Sequence, residues 1–191
     1  AFLSYLPTSV WALAPRGPTD DPPDRAEQEL LSVVPRERKR FMDSRRAIEL
    51  IVDRGSFFEI GLHWARNMIV GFARLHGYPV GVVSSDARFK GGALDTPAAM
   101  KLRRHADICE LFHVPILNLV DMPGFLVGSE AERTAVIRHG MTVTAALYSS
   151  EVPRFTCIMR RAFGVAGQAM ITSNDGNSVG INTRVAWPSA D

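Results

Sequence analysis

The chain has 191 residues, of which 46% are hydrophobic, and this content argues against wholesale disorder. A formal net charge of +2 argues against a dedicated nucleic-acid-binding protein. No apolar run reaches the roughly 18 residues of a transmembrane helix. The first residues lack both an initiator Met and the basic start of a signal peptide, so we expect a cut inside a longer polypeptide.

Residues 1–40 differ in composition from the rest of the chain. They contain six of its 12 prolines: Pro7, Pro15, Pro18, Pro22, Pro23 and Pro35. Proline at this density predicts either an extended linker laid over a surface or a flexible tail, and composition does not separate the two.

Regular elements begin at Asp43, which is placed to cap a helix that stops at Gly55. Residues 68–75 and 79–83 then read as two strands joined by a hairpin turn. A second helix starts at Thr96, with Pro97 in its first turn.

Residues 114–120 form the next apolar run and predict a buried strand. Ser129 is expected to open one long helix that continues to about Tyr148. Residues 155–159 predict another buried strand, which leads through a glycine turn into a last helix. A polar loop, 172–182, follows. Strands alternating with helices indicate a mostly parallel sheet covered by helices, incomplete at its C-terminal end.

The glycine turn at residues 163–167 is the sharpest candidate site. A strand that passes through a tight turn into a helix leaves backbone N–H groups without partners. These donors, together with the positive end of the helix dipole, are suited to holding an anion. The sequence therefore predicts chemistry carried here by the backbone.

Three other positions have both a functional and a structural interpretation. Arg88 and Lys90 offer cations for a phosphate or carboxylate, or they belong to an ordinary strand-to-helix loop. Asp121 ends a strand, where it acts as a base or caps the turn beyond Pro123. Arg160 and Arg161 face an anionic ligand or simply finish a strand.

Several site classes have no support in the sequence. The five histidines show no metal-ligand spacing, and no Cys-x-x-Cys occurs, so no metal site is predicted. The serine-hydrolase elbow and the glycine-rich nucleotide loops are also absent. Cys109 and Cys157 lie in apolar segments and are expected to be buried free thiols, which favours a reducing compartment.

An ordered set of short motifs resembles the β subunit of biotin-dependent acyl-CoA carboxylases, especially propionyl-CoA carboxylase. Residues 120–128 resemble the family's VDxPGFLxG, residues 160–166 its RKA(F/Y)GGA, and residues 186–190 its AWPTA. Residues 53–59 and 91–95 also resemble segments of the family, in the same order along the chain. The resemblance implies an α/β, crotonase-like spiral of ββα units. It also divides the chain into the end of an N-terminal domain plus linker (1–40) and a truncated C-terminal carboxyltransferase domain (41–191).

The resemblance implies carboxyl transfer from carboxybiotin, held on a separate carrier domain, to the α-carbon of a short acyl-CoA. The backbone N–H groups of Val165 and Ala166, with Gly164, correspond to the oxyanion hole that faces the biotin oxygen. Other implied contacts fall into two groups. Those to biotin are Phe163, Gly124 and Phe125, and those to the acyl-CoA are Gln168, Gly167, Gly91 and Gly92.

The chain departs from the family at three of these positions. Val165 replaces a usual glycine but keeps its N–H group. Gly167 and Gln168 replace a typical Tyr and Asp, and the second of these is linked to substrate preference, so the acyl-CoA stays open.

The implied partners are a biotin carboxylase and carrier (α) subunit and further copies of the chain, in a hexamer, with no nucleic acid or membrane. The implied location is the cytoplasm, or the mitochondrial matrix in a eukaryote. The fragment alone is not expected to turn over. Two alternatives stay open: a biotin-dependent decarboxylase or transcarboxylase that uses the same site, and a non-catalytic interaction module with a decayed site.

Overall fold

The computed structural model describes residues 2–37, 39–171 and 182–190, and within these ranges six strands form one mixed sheet in chain order. The strands are β1 (Phe58–Ile60), β2 (Met68–Leu75), β3 (Tyr78–Ser85), β4 (Ile116–Met122), β5 (Arg154–Ala162) and β6 (Asn182–Ala186). The helices are α1 (Leu30–Val33), α2 (Ser44–Ile51), α3 (Thr96–Leu111), α4 (Ser129–Arg133), α5 (Val136–Ser149) and α6 (Gly164–Ile171).

The sheet changes from antiparallel to parallel pairing along the chain. β1, β2 and β3 pair antiparallel, and the β2–β3 hairpin closes at the Leu75–Tyr78 pair. From β3 onward the pairing is parallel, and a helical connection precedes β4, β5 and β6. The predicted helix-covered, mostly parallel sheet is thus confirmed for the second half of the chain, and the hairpin supplies the antiparallel part.

The described apolar side chains form two clusters, one on each face of the sheet. In β2, Val70 and Phe72 belong to the first cluster, whereas Ile69 and Ala73 belong to the second. Successive side chains of a strand point to opposite faces, so a strand covered on both faces reads as a continuous apolar run. For this reason, apolar and polar residues do not alternate along residues 68–75.

Local capping sets the starts of α2 and α3. Asp43 accepts a hydrogen bond from the Arg46 N–H group at 3.1 Å, as the sequence predicts. At α3 the cap is Asp95, which accepts from the Ala98 N–H group at 3.0 Å, and Thr96 is the first helical residue. The hydroxyl of Thr96 instead donates to the carbonyl of Thr134 at 2.8 Å.

The single helix predicted from Ser129 to about Tyr148 is wrong. The chain leaves helical geometry at Ala135, which has a left-handed φ of 54°, and α4 and α5 are separate helices. The Thr134 hydroxyl donates back to the Glu130 carbonyl at 2.9 Å, while the Thr134 carbonyl accepts from Thr96. These bonds take the place of a continuous helical ladder.

The proline-rich segment is held along the surface of the sheet domain. The Gly17 N–H group donates to the Gly77 carbonyl at 2.8 Å. The Arg25 guanidinium donates to the Leu50 carbonyl at 2.7 Å, near the C-terminus of α2, where a cation is favourable. Of the two interpretations of its composition, the extended linker therefore fits.

The N-terminal end of the chain packs with the rest of the protein. Tyr5 and Leu6 belong to the first core cluster, and the ring of Tyr5 stacks on Phe72 with centroids 5.9 Å apart. The division at residue 40 stays a prediction. The predicted polar loop lies outside the described residues from 172 to 181.

Both cysteines are buried free thiols, as predicted. Burial raises the pKa of each thiol, so neither is poised as a nucleophile. Within the described ranges, no helix has both the length and the apolar character needed to cross a membrane.

Candidate functional site

The parallel strands β3, β4 and β5 end at the same edge of the sheet, at Ser85, Met122 and Ala162. In α/β proteins this carboxyl edge is where ligands bind. The Ser85 hydroxyl donates to the Asp121 carbonyl at 2.6 Å, which ties the ends of β3 and β4 together. The sequence-predicted site residues fall on the loops that leave this edge.

The β5–α6 turn, residues 163–166, has the predicted form. The Phe163 N–H group donates to the Met122 carbonyl at 2.9 Å, and Gly164 follows with a φ of 62°. The Gly167 N–H group then donates to the Phe163 carbonyl at 3.0 Å, which is the first bond of the helical ladder in α6. The N–H groups of Gly164, Val165 and Ala166 precede that bond, so they have no acceptor within α6.

Side-chain burial shows how this turn faces outward. Val165 is 59% exposed, so its branched side chain points away from the core, while Ala166 is buried. Gly167 is also buried, and a Cβ atom added there would overlap the backbone of Ala162. The structure thus gives Gly167 a packing role, and its contact with substrate stays a prediction. Gln168 is exposed on α6.

Gly124 lies beside the β5–α6 turn. It has a φ of 130°, and a Cβ atom added there would lie 3.9 Å from the Phe163 carbonyl oxygen. The Gly124 carbonyl accepts from the Leu94 N–H group at 2.9 Å, and the Leu94 carbonyl accepts from the Leu126 N–H group at 2.9 Å. These bonds join the β3–α3 loop, residues 86–95, to the segment after β4.

The ring of Phe125 packs against α5. It packs so closely on α5 that a Cβ atom at Gly140 would overlap it. The ring is therefore held against the helix layer, and the contact of Phe125 with biotin stays a prediction.

Gly91 and Gly92 are also at this edge. Both have positive φ, and a Cβ atom at Gly92 would lie 3.4 Å from the Asp121 carbonyl oxygen. The Gly91 carbonyl accepts from the Arg161 guanidinium at 3.2 Å. The predicted backbone positions of the two loops and the turn are thus brought together.

Asp121 is part of a buried charge cluster. Its side chain is 1% exposed, and one carboxylate oxygen lies 2.6 Å from Nε of Arg161 and the other 3.8 Å from the Arg160 guanidinium. The sequence interpretations of Asp121 as an open base or as a cap beyond Pro123 did not include this pairing.

The cations of the β3–α3 loop are engaged within the protein. Arg88 binds Asp86 at 2.9 Å, and Lys90 binds Asp95. Burial by itself would raise the pKa of Asp86, but hydrogen bonds from Arg88 and Arg45 hold it below its ordinary value. Lys90 and Asn67 lower the pKa of Asp95 in the same way against burial. Both cations therefore pair with aspartates of their own loop, and contact of either cation with an anionic ligand stays a prediction.

A cleft of about 480 Å³ borders the β5–α6 turn at Phe163. Its walls come from the linker, the end of β5 and the segment after β6: Val34, Pro35, Arg36, Arg160, Arg161, Phe163, Pro188, Ser189 and Ala190. The contribution of residues 34–36 is not predicted from the sequence, because only the tertiary fold brings the linker to β5. No cluster of metal-ligating side chains is present in the described ranges.

The chain matches the carboxyl transferase domain family over residues 1–191. It is 37% identical to the human mitochondrial propionyl-CoA carboxylase β chain, over 100% of this chain and 34% of the human protein. It is 34% identical to the methylmalonyl-CoA decarboxylase α subunit of Veillonella parvula, over 99% and 36% of the two chains.

A crystal structure of transcarboxylase 12S, a hexamer with methylmalonyl-coenzyme A bound, superposes with a TM-score of 0.91. The two chains are 33% identical, and the match covers 99% of this chain and 35% of that one. The crotonase-like fold expected from the sequence is thereby confirmed. The chain spans about a third of the length of the curated relatives that it matches.

Proposed function

Because the chain belongs to the carboxyl transferase domain family, we propose that it is the biotin-facing part of an acyl-CoA carboxyltransferase. The reaction moves a carboxyl group from carboxybiotin to the α-carbon of a short acyl-CoA. The observation that carries this proposal is the β5–α6 turn, whose N–H groups precede the first helical bond beside a cleft of about 480 Å³.

The residues of the turn suit an oxyanion of the biotin ureido group. The N–H groups of Val165 and Ala166 donate toward this oxygen, and the α6 dipole adds positive potential. Gly164 supplies the left-handed backbone that begins the helix at this point. Biotin on a separate carrier domain supplies the carboxyl group and the base.

The cleft beside the turn suits the body of a bound biotin. Phe163, Pro35 and Pro188 contribute apolar surface to its walls, and Arg36 adds a cation at its linker side. Gly124 lies beside the same turn and allows close approach of a ligand to the backbone. These features support a biotin site on this face.

We assign the acyl-CoA to the neighbouring backbone positions of Gly91 and Gly92, with Gln168 of α6. Gln168 is exposed and uncharged, and it stands where the family typically has an aspartate, so it is the position to vary in a test of acyl preference. Propionyl-CoA is the first substrate to test, since relatives carry that name.

The proposal includes partners. A biotin carboxylase and carrier subunit would deliver the carboxyl group, and further copies of the polypeptide would complete a hexamer. The relatives are subunits of larger complexes, and transcarboxylase 12S is a hexamer. The cytoplasm, or the mitochondrial matrix in a eukaryote, is the expected location.

A decarboxylase or transcarboxylase is the second candidate. The matches to the Veillonella decarboxylase subunit and to transcarboxylase 12S support it, because these relatives are named for those activities. The direction of carboxyl transfer distinguishes this candidate from a carboxylase.

A chimera tests the proposal. This chain replaces the matching third of the human propionyl-CoA carboxylase β chain, and the chimera is mixed with a carrier bearing labelled carboxybiotin. Loss of label that depends on propionyl-CoA is expected, with the unaltered human chain as the positive control. In a second assay methylmalonyl-CoA carries the label in its carboxyl group and the carrier holds uncarboxylated biotin. Transfer of this label to the carrier, without transfer from carboxybiotin to propionyl-CoA, identifies the decarboxylase or transcarboxylase.

Absence of any acyl-CoA-dependent transfer, together with no binding of free biotin to the chain, would refute the enzyme and favour a non-catalytic module.

A further inference from the structure

The Asp121–Arg161 pair lies under the predicted site but has no part in the chemistry proposed above. Arg161 is the penultimate residue of β5. Its Nε atom donates to the Asp121 carboxylate at 2.6 Å, and its terminal nitrogen donates to the Gly91 carbonyl at 3.2 Å. One guanidinium therefore joins β5, β4 and the β3–α3 loop.

Each of these elements holds part of the predicted site. The end of β4 accepts the Phe163 N–H group through Met122, and the β3–α3 loop binds Gly124 through Leu94. Arg161 closes this set of contacts, because it connects the loop that carries Gly91 directly to the strand that leads into Phe163. A side chain of different length at position 161 would alter the distance between the β3–α3 loop and the β5–α6 turn.

The energetics of the pair favour a positional role. Asp121 is 1% exposed, and its second carboxylate oxygen has no hydrogen bond among the described residues but lies 3.8 Å from the Arg160 guanidinium. Burying the Asp121 charge costs desolvation that the attraction to a cation often does not repay, so the pair is weak evidence for a stabilising role. The fork of donors in arginine, in contrast, holds two acceptors in a fixed geometry.

We propose that Arg161 is a positioning residue that sets the distance between the Gly91 segment and the β5–α6 turn. This inference rests on the proposed function, since the distance is the one between the expected acyl-CoA and biotin positions. Misplacement by about 1 Å costs a reaction on the order of 100-fold in rate. Loss of this positioning contact should therefore be measurable as a fall in kcat.

The substitution Arg161→Lys tests the geometry of the side chain separately from its charge. Arg161→Lys keeps a cation beside Asp121, but a single ammonium does not reproduce the fork that spans Asp121 and Gly91. In the chimera, Arg161→Lys and Arg161→Gln should both lower kcat about 10- to 100-fold. The KM for propionyl-CoA should change little, and Arg161→Lys should unfold at nearly the parent temperature.

The matched control is Arg103→Gln, which removes another arginine–aspartate pair, that of Arg103 and Asp107 on the exposed face of α3. It should leave kcat unchanged. Full activity in Arg161→Lys would overturn the inference, because charge alone would then suffice. If Arg161→Gln does not fold, Asp121→Asn/Arg161→Gln also removes the buried Asp121 charge and takes its place in the comparison.

A second measurement is independent of activity. Hydrogen exchange in the 191-residue chain reports on the bonded N–H groups of Gly92, Leu94 and Phe163. Arg161→Lys should speed their exchange about tenfold relative to the N–H groups of α3, because the local opening energy falls. Unchanged exchange overturns the inference. An inactive parent chimera with faster exchange in the variant refutes the proposed function and keeps the positioning role.

Discussion

Replacing Val165 with proline removes one backbone donor from the β5–α6 turn. The Val165 side chain is 59% exposed, and its N–H group precedes the Gly167–Phe163 bond that begins the α6 ladder. Proline is tolerated in the first helical turn, where its missing N–H group costs no intrahelical bond. The free energy of unfolding should therefore change by no more than about 1 kcal/mol.

The effect on catalysis should be much larger. Loss of one oxyanion-hole donor typically costs about 2.7–4 kcal/mol of transition-state stabilisation, a fall in kcat of about 100- to 1000-fold. Val165→Ala keeps the N–H group and only shortens an exposed side chain, so it should retain kcat within about twofold. The two variants share a position and differ in the donor.

The assay is carboxyl transfer by the chimera with saturating propionyl-CoA, accompanied by urea unfolding of the 191-residue chain. Parent-level activity of both Val165→Pro and Val165→Ala, with both folded, would show that this N–H group does not bind the oxyanion. A matching loss in both variants would assign the effect to the side chain instead.

Three further outcomes follow from the fold. Burial lowers the pKa of His105 to about 4; the unfolded chain takes up this proton near pH 6.5 and the folded chain only near pH 4, so this group removes stability as pH falls through that window. Between pH 7 and 5, urea unfolding should show the parent losing about 2 kcal/mol more than His105→Leu, and equal losses would contradict the assignment. Gly167→Ala should lower unfolding stability by about 1–3 kcal/mol, because its Cβ atom overlaps the Ala162 backbone; an unchanged denaturation midpoint would refute the close packing. Lys101→Met leaves the carbonyls of Gly61, Trp64 and Met68, now bound at 2.7–3.0 Å, without their donor, and should cost about 1–3 kcal/mol or more. Thermal unfolding checks this, and a midpoint equal to that of the parent would show that water replaces the ammonium.

The sequence predicts the elements whose signals are local. The apolar run of β2, the Asp43 cap and the glycine turn after β5 each depend on a few adjacent residues, so each is readable from the chain. The β5–α6 turn belongs to this class, since the loss of partners for its first N–H groups is a property of any helix start.

The resemblance to a known family supplied the expected ligand of this turn. Nothing in the turn itself distinguishes a biotin oxygen from another anion, and the roles of Val165, Ala166 and Gln168 come from the ordered motifs alone. They stay predictions until the chimera is assayed.

The predictions that failed or stayed open depend on residues far apart in the chain. The break at Ala135 accompanies a bond from Thr96, 38 residues before Thr134. The ring of Phe125 packs on Gly140 of α5, which is 15 residues further along the chain. No periodicity records these pairings, because each is chosen by packing and electrostatics after the elements assemble.

The sequence by itself determined the strand–turn–helix that leaves backbone donors unpaired, since capping and glycine conformation act over a few residues. Only the tertiary structure decided what surrounds those donors. It brings the linker to Phe163, joins Arg161 to Asp121 and Gly91, and buries Gly167 beneath the turn. The physical reason is that parallel strands meet at one edge of the sheet, where residues distant in sequence become neighbours.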